Sequence, residues 1–490
     1  MQCVQQSAID LARCDEDTEQ RPGSPQWSPR LWGMLMVLCG ALFLDALDVS
    51  MMGIALPAMQ SPLHMDTASL QWLVSSYVIG FGAVLLVGGR AADQFGRRRM
   101  LLAGLAVFGI CSLISGLLDN GSLIIVVRFI KGMAAAFTAP AGLSLLTTTF
   151  PEGPMRNKAI SVYTAFGASG FSLGLVFSGL LTEISWRWAL LFPAPVTLLV
   201  LIGGIALVPR QQSGAGERRR LDVPGAVLVT AAMVLLVYTV TSAQAAGWAS
   251  ARTISLFAAV VVLLAAFVLR ELRTSDPLLR FGIFRSGTLT RASLGGIVLS
   301  GTYWSFQFML TLYLQSANGW SAISTALAFL PGGVIVAILS FRIGNIINRL
   351  GPGRTTLIAF VCLIAAYAGF LRIGPTPDFT GVILPAMLLI GIAFGLSFSA
   401  LNVAATAGVD PAEQGLAAGI FQTSFQVGGA VVLAVVTAVV TAGGATVSAS
   451  PAATVDAYRP ALVLITVIAA LGIALAADGL RRPRLSSQPA

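Results

Sequence analysis

Four ionisable residues lie inside otherwise apolar segments, at a spacing that would let them work together. Asp45 and Asp48 occupy the first apolar run, and Arg128 and Lys131 occupy the fourth. The members of each pair are three residues apart, so in a helix both lie on one face. Charges at membrane depth are costly and usually mark ion or proton pathways, although a static ion pair between helices needs the same residue types. We therefore predict a proton-coupling site formed by these four residues.

The positions of the two pairs along their helices match. Asp48 precedes the end of the first run at Pro57 by nine residues, and Lys131 follows the start of the fourth run at Ser122 by nine. With a rise of about 1.5 Å per residue, each lies roughly 13 Å below the same side of the membrane when the helices run antiparallel. The spacing allows contact between the pairs but does not itself show that the two helices touch.

The elements that must hold these residues are membrane helices. Of 490 residues, 56% are hydrophobic and 10% are charged, whereas about a quarter of the residues in a soluble domain are charged. Apolar runs long enough to cross a bilayer recur along the chain. We predict an all-α integral membrane protein with fourteen membrane helices, at about residues 31–57, 71–88, 100–118, 122–149, 159–182, 188–208, 223–246, 253–270, 290–314, 322–346, 355–373, 380–407, 414–442 and 458–477.

The connections divide these helices into two pseudo-symmetric six-helix bundles with a two-helix insertion between them. The predicted segments are a disordered cytoplasmic tail 1–30, a bundle 31–208, a basic linker 209–221, two inserted helices 222–272, a second linker 273–289, a second bundle 290–478 and a tail 479–490. With both termini in the cytoplasm, most of the 30 Lys and Arg residues fall in cytoplasmic connections. The net charge of +9 therefore indicates membrane topology and not a nucleic-acid partner.

Two basic connections repeat one pattern, in which a Gly is followed four residues later by Asp or Asn and seven residues later by Gly. Because Gly accepts positive φ, we predict a tight loop between helices at each copy, 89–99 and 344–354. Two such loops suggest a duplicated membrane protein. The residues of interest in the two copies, to which the family resemblance described below assigns a cytoplasmic gate, are Gly89, Asp93, Gly96, Arg97, Arg98, Gly344, Asn348, Arg349 and Gly351.

Other residues predict helix packing and a substrate cavity. The fifth run carries glycines at spacings that let membrane helices approach closely, namely Gly167, Gly170, Gly174 and Gly179. The second bundle offers aromatic and polar groups suited to a drug-sized ligand, namely Tyr303, Trp304, Gln307 and Asn402. For each aromatic residue, a position facing lipid remains the alternative.

The chain lacks the residues that several classes of function require. The chain has one histidine, His64, and no CxxC or HExxH motif, so we predict no metal site and no cofactor beyond protons as the coupling ion. No nucleophile–base constellation is evident, so we predict that the protein is not an enzyme. The expected partners are a small-molecule substrate and membrane lipid, with the protein acting as a monomer.

The loop around Asp93 resembles the signature G-x-x-x-D-[RK]-x-G-R-[RK]-[RK] of the major facilitator superfamily. Gln94 departs from that signature, and Asn348 replaces the acid in the second copy. The resemblance implies that Asp93 holds a cytoplasmic gate closed by bonding to Arg97 and to a helix N-terminus of the other bundle.

A narrower resemblance covers most of the chain. The segment from Leu47 to Pro57 resembles the first-helix signature of the fourteen-span drug:proton antiporter family, in which Asp48 holds the acidic position. Arg128 and Lys131 match the fourth-helix signature R-x-x-q-G, with Lys replacing Gln. The fifth-helix signature has Leu175 in place of its Pro, so we expect an unkinked helix there.

The resemblance implies a function. It implies proton-coupled export of drug-like or secondary-metabolite small molecules by alternating access, from a bacterial plasma membrane. A proton-coupled uptake symporter of the same fold, and a membrane sensor or enzyme without transport, remain the alternatives.

Overall fold

The computed structural model describes residues 27–150, 154–209, 222–274, 277–279, 281–340, 342–407, 409, 413–443 and 451–481. Every regular element in these ranges is helical. Residues 210–221 of the predicted linker 209–221, residues 1–26 of the predicted tail 1–30 and residues 482–490 of the predicted tail 479–490 lie outside them.

The first half begins at a well-capped helix. The Ser28 side chain accepts a hydrogen bond from the Leu31 N–H at 3.2 Å, and Pro29 follows in the first turn, where it loses no hydrogen bond. The helices of this half are α1 (Pro29–Gln60), α2 (Thr67–Phe95), α3 (Arg97–Leu117), α4 (Gly121–Thr149), α5 (Pro154–Ile184), α6 (Trp186–Leu191) and α7 (Pro193–Leu207).

The remaining helices form an insertion and a second half. The insertion consists of α8 (Val223–Ala246) and α9 (Ala251–Arg273). After a 3-10 turn at Phe281–Arg285, the second half contains α10 (Gly287–Leu312), α11 (Ala322–Ser340), α12 (Ile343–Leu350), α13 (Pro352–Phe370), α14 (Leu384–Thr406), α15 (Gln414–Ala442) and α16 (Pro451–Arg481). π-helical turns at Tyr313–Ala317 and Phe379–Ile383 extend α10 and precede α14.

The two halves repeat one packing scheme. In the first half α1 packs on α5 and α7, α4 packs on α2 and α3, and α3 packs on α7. In the second half α10 packs on α15 and α16, α14 packs on α11 and α13, and α13 packs on α16. The halves meet along two seams, α5 against α11 and α2 against α15. In this scheme α2 is equivalent to α11, and α5 is equivalent to α15. The two seams are therefore equivalent contacts, as a pseudo-twofold axis requires.

The insertion lies along one of these seams. Helix α8 packs on α9 and contacts both α2 and α15, so it touches both halves. The Trp72 and Tyr238 rings of α2 and α8 have centroids 6.4 Å apart. Asp222, before α8, accepts hydrogen bonds from Arg270 of α9 at 3.1 and 3.2 Å. The insertion thus covers the seam between α2 and α15.

Twelve helical stretches in the described ranges are long and apolar enough to cross a membrane. The prediction was fourteen, and the two long helices outside this set are α2 and α10. Both bury polar side chains, among them Gln71 and Ser75 in α2 and Ser300 and Thr302 in α10. These buried side chains face neighbouring helices instead of lipid. A count of fourteen spans stays a prediction.

The predicted loops at 89–99 and 344–354 are longer than the turns in the structure. Gly89 and Asp93 lie within α2, and Arg97 already begins α3, so the turn is Gly96 alone, with φ +96. In the second copy, Gly344, Asn348 and Arg349 lie within α12, and the turn is Gly351, with φ +79. The helical hydrogen-bond ladder continues through the earlier glycines because only one residue in each copy needs positive φ.

The predicted sixth span at 188–208 is also divided. It consists of α6 and α7, which meet at Phe192 and Pro193. Proline lacks the N–H that would continue the ladder, and its ring would clash with the preceding turn.

Candidate functional site

Asp48 is the centre of a buried ionic cluster between α1 and α4. Its side chain is 2% exposed, and those of Arg128 and Lys131 are equally buried. Arg128 Nη1 lies 3.3 Å from Asp48 Oδ2, and Lys131 Nζ donates a hydrogen bond to Asp48 Oδ1. One carboxylate therefore faces two cations inside the first half.

The two cations are also held by the neighbouring helices α2 and α3. Arg128 Nε donates to the Leu73 carbonyl oxygen, and its guanidinium lies 5.4 Å from the centre of the Tyr77 ring. Lys131 Nζ lies 4.4 Å from the centre of the Phe108 ring, a cation–π distance. The cluster thus joins the first four helices, and truncating any one member would leave its buried partners unsatisfied.

Close backbone contact between α2 and α4 brings these side chains together. A Cβ added at Gly132 would lie 2.0 Å from the Tyr77 carbonyl oxygen, and one at Gly80 would lie 2.2 Å from the Phe129 carbonyl oxygen. Glycine on both facing surfaces therefore lets the two backbones touch at the depth of Lys131.

Asp45 is separate from the cations. It is half-buried, lies one turn nearer the start of α1, and accepts a hydrogen bond from the Tyr77 hydroxyl. In the described part of the chain no Lys or Arg nitrogen lies within 4 Å of its carboxylate. The predicted four-residue group is therefore divided into Asp48 with both cations and Asp45 with Tyr77. Sequence reasoning missed Tyr77, although a buried phenol hydroxyl needs a partner.

The structure describes part of the gate that the family resemblance implies. Gly96 and Gly351 are equivalent helix caps. Their N–H groups donate hydrogen bonds to the carbonyl oxygens of Ala92 at 3.1 Å and of Ile347 at 2.8 Å. Asn348 and Arg349 are exposed on α12. The side chain of Asp93 lies outside what the structure describes.

Arg98 binds within its own half. Its Nε donates to the Val208 carbonyl oxygen at 2.8 Å, and its Nη2 donates to that of Ile205 at 2.9 Å. A cation at the end of α7 complements the helix dipole and satisfies carbonyls that have no intrahelical partner. Arg98 therefore fixes α7 to α3 within the first half.

The glycines of α5 lie against two different helices. Cβ atoms at Gly170 and Gly174 would lie 2.5 Å from the Phe43 carbonyl oxygen and 2.1 Å from Ser50 Oγ, both in α1. At Gly167 a Cβ would meet the Leu42 side chain of α1, while at Gly179 it would meet Ile323 and Ala326 of α11, in the second half. Helix α5 runs unbroken past Leu175, but so does α4 past Pro140, so the unkinked helix stays a prediction.

The predicted cavity residues face different surroundings. Tyr303 is half-buried between the halves, with its ring centroid 6.2 Å from that of Phe171 in α5. Gln307 lies over Gly53 of α1, where a Cβ would be 3.1 Å from the amide nitrogen. Trp304 is buried instead against Gly429 of α15, within the second half.

An aromatic group that sequence reasoning missed extends from Tyr303 along α14 and α15. The Tyr303 and Phe394 centroids are 4.8 Å apart, and the Phe398 and Phe425 centroids are 5.2 Å apart. Phe394, Phe398 and Asn402 recur every four residues, so they share one face of α14. That periodicity was a signal available in the sequence.

A family model described as Major Facilitator Superfamily matches residues 38–433. The puromycin resistance protein pur8 of Streptomyces alboniger is 38% identical, covering 87% of this chain and 86% of the relative. The cephamycin export protein CmcT of Amycolatopsis lactamdurans is 36% identical, covering 88% and 89%. The tetracenomycin C resistance and export protein of Streptomyces glaucescens is 30% identical, covering 82% and 74%.

Solved structures share the fold at low sequence identity. A POT family transporter matches with a TM-score of 0.68 and 14% identity, covering 91% of this chain and 96% of that one. A D-xylose–proton symporter matches with a TM-score of 0.64 and 13% identity, covering 92% and 97%.

Proposed function

The chain belongs to the major facilitator superfamily, and we propose that it exports drug-like or secondary-metabolite small molecules in exchange for protons. The observation that carries the proposal is Asp48, a buried carboxylate bonded to both Arg128 and Lys131 inside a bundle of membrane helices. Retaining a buried charge in this setting is costly, and such charges usually lie on ion or proton pathways.

The names of several relatives support export over uptake. Relatives that align over most of this chain are named for resistance to puromycin or lincomycin and for export of cephamycin or tetracenomycin C. The names refer to four different compounds, so we take the substrate class to be secondary metabolites in general. The half-buried aromatic surface at Tyr303 and Phe394 supports an apolar, ring-containing substrate.

The proposed coupling step is a change in the partners of Asp48. While Asp48 is ionised, it balances Lys131 and holds α1 against α4. When a proton from outside reaches Asp48, the attraction to Lys131 is lost, and α1 becomes free to move relative to α4. Asp45 lies one turn nearer the start of α1 and is half-buried, so it offers the next acceptor toward the cytoplasm.

Alternating access would use the two seams between the halves. The seam of α5 and α11 is close-packed at Gly179, where a Cβ would lie 2.9 Å from Ala326 Cβ. A cavity of about 520 Å³ opens further along the same seam, between Ser169 and Leu173 of α5 and Val334 and Ile338 of α11. We propose that the close-packed and open ends of this seam exchange during transport.

The proposed setting is the plasma membrane of a bacterium. A monomer with fourteen spans and both termini in the cytoplasm accounts for the concentration of Lys and Arg in alternate connections. In this arrangement α2 and α10 are the two additional spans, enclosed by neighbouring helices.

Accumulation measurements test this function. In a bacterial host lacking its own exporters, the protein should lower cellular accumulation of puromycin or lincomycin, and an uncoupler should restore accumulation. Asp48→Asn at matched expression is the control and should not lower accumulation. Raised accumulation that falls on uncoupling would instead indicate uptake by symport. No change for any compound would contradict a transport function.

A further inference from the structure

Two hydrogen bonds join the halves at the end of the molecule where α1, α5 and α10 terminate and α11 begins. Glu183 Oε1, at the end of α5, accepts a hydrogen bond from the Ile323 N–H of α11 at 3.3 Å. Gln315 Nε2, in the π-helical turn that extends α10, donates to the Ile54 carbonyl oxygen of α1 at 3.1 Å. We call these two contacts the outer latch, since this end is opposite the predicted cytoplasmic gate.

Glu183 caps a helix of the other half. Helix α11 begins at Ala322, so the Ile323 N–H belongs to its first turn and has no acceptor within the helix. The Ser321 hydroxyl oxygen accepts from the Ser324 N–H at 3.2 Å, so the cap that α11 provides for itself uses a different N–H. A carboxylate near a helix N-terminus is also stabilised by the helix dipole. Glu183 therefore supplies an acceptor that the second half lacks at this position.

Close backbone contact on the same face of α5 brings Glu183 to α11. Gly179 precedes Glu183 by four residues, so the two lie on one face of the helix. A Cβ added at Gly179 would lie 2.9 Å from the Ile323 Cα and 2.9 Å from the Ala326 Cβ. Any larger residue at this position would push the halves apart. The small residue thus lets the outer end of this seam close tightly enough for Glu183 to reach its partner.

The first-half members of the outer latch belong to one tightly joined pair of helices. Ser178 Oγ of α5 donates a hydrogen bond to the Met51 carbonyl oxygen of α1 at 2.6 Å. The glycines of α5 described above also pack directly against α1. Glu183 of α5 and the Ile54 carbonyl of α1 are therefore expected to move together.

The second-half members are held equally firmly. The Tyr313 hydroxyl donates to the Gly374 carbonyl oxygen at 2.7 Å, and Asn318 Nδ2 donates to the Tyr313 carbonyl oxygen at 2.9 Å. These bonds fix the π-helical turn that carries Gln315 to the rest of the second half. π-helical turns are frequent at functional sites. Opening of the outer end therefore requires that the outer latch breaks, because neither side can follow the other.

We propose that Glu183 and Gln315 are the gating residues of the outer end, and that their two hydrogen bonds hold the halves together there until the protein opens to the outside. Glu183 does at this end what the family resemblance implies for Asp93 at the other, because each carboxylate bonds to a helix N-terminus of the second half. This inference rests on the alternating access of the proposed function and names the residues that control its outer step.

Distances between spin labels on the two halves test the outer latch in the purified full-length protein. Ser61, directly after α1, and Ser316, in the π-helical turn, are both exposed. Ser61→Cys with Ser316→Cys therefore places one label on each half, and pulsed electron paramagnetic resonance gives the distribution of distances between them. Two of the native cysteines are buried in helices, and the others are replaced by serine in this labelled parent, namely Cys3, Cys14 and Cys362.

Substitutions at the outer latch should shift that distribution toward longer distances. Glu183→Met removes the acceptor and Gln315→Met removes the donor, both with little change in volume. The ratio of the longer-distance to the shorter-distance population should rise about tenfold in Glu183→Met and about fivefold in Gln315→Met, since hydrogen bonds to charged groups contribute more. Glu183→Gln keeps an acceptor and should lie between the parent and Glu183→Met. An unchanged ratio in either methionine variant would overturn the proposal.

Two controls distinguish gating from a general loss of structure. Asp119→Asn deletes an exposed acid at the same end, but its partner Arg187 belongs to the first half, so the ratio should stay unchanged. A second label pair within the first half, Ser61→Cys with Leu117→Cys, should give the same distances in every variant, because the outer latch joins neither α1 nor α3 to the other. A change in this second pair equal to that in the first would overturn the gating assignment.

Transport assays separate this inference from the proposed function. If export is measured but the label distances do not respond to the latch variants, the outer latch is wrong and the proposed function stands. If the distances respond as expected but no compound is transported, the outer latch is correct and the proposed function is wrong.

Discussion

Lys131 and Asp48 form a buried ion pair that joins α4 to α1 in the interior of the first half. Arg128 contacts the other oxygen of the same carboxylate at 3.3 Å. Two cations and one acid at this depth are tolerated because Leu73, Tyr77 and Phe108 surround the excess charge with a carbonyl oxygen and two aromatic faces. The pair is therefore both a structural link and a candidate switch.

Removing the lysine should destabilise the protein. Lys131→Met leaves Asp48 paired with Arg128, so the cost should be below the about 3–5 kcal/mol that an uncompensated buried charge costs. We expect a fall in melting temperature in detergent, and a larger fall in the double variant Lys131→Met with Asp48→Asn, because buried Arg128 then has no carboxylate partner. Lys158→Met is the control and should have a small effect, because Lys158 is exposed. Equal melting temperatures for the two lysine variants would contradict the structural role.

Asp48 and Asp45 should differ in their effect on coupling. In proteoliposomes, Asp48→Asn should abolish substrate-driven proton flux but leave substrate binding measurable, because the cavity aromatics remain. Asp45→Asn should retain coupling and mainly change which substrates bind, since Asp45 bonds to a neutral hydroxyl. If Asp48→Asn still exchanges protons for substrate at the normal ratio, Asp48 is not the carrier. Asp45 then becomes the first candidate.

The contact between α5 and α1 should not tolerate a larger residue. In Gly174→Ala the new methyl group would lie 2.1 Å from Ser50 Oγ and 2.7 Å from the Leu47 carbonyl oxygen. We expect a loss of about 1–3 kcal/mol of stability from overpacking, measured as a lower melting temperature. Gly369→Ala in α13 is the matched control, because no atom lies within 4 Å of its Cβ position. A neutral Gly174→Ala variant would show that α1 and α5 separate easily.

The gate prediction rests on Asp93 at the end of α2. Asp93→Asn should cut the transport rate while leaving the protein folded and inserted. The reason is that a carboxylate next to a helix N-terminus stabilises the closed gate by up to about 1 kcal/mol. Transport in vesicles at equal protein content measures the change, with Asp119→Asn as the control acid outside the gate. A wild-type rate in Asp93→Asn would remove Asp93 from the gate.

The sequence by itself determined the class of protein and the depth of its charged groups. A run of apolar residues can be recognised from the sequence alone, because a helix that crosses lipid must be apolar over its whole length. The depth of Asp48 and of Lys131 follows from a constant rise per residue, and the structure places the two in contact. The repeated glycines likewise predicted matching turns, although only Gly96 and Gly351 proved to need positive φ.

The tertiary structure alone decided which side chains meet across helices. The pairing of Asp45 with Tyr77, the binding of Arg98 to the end of α7, and the burial of Trp304 against Gly429 depend on helix rotation and crossing. Small residues can show where a helix makes close contacts, as in α5, but one segment does not specify which helix it meets. The position of the insertion along α2 and α15 was unpredictable for the same reason, because a lipid-facing helix and a seam-covering helix have the same apolar composition.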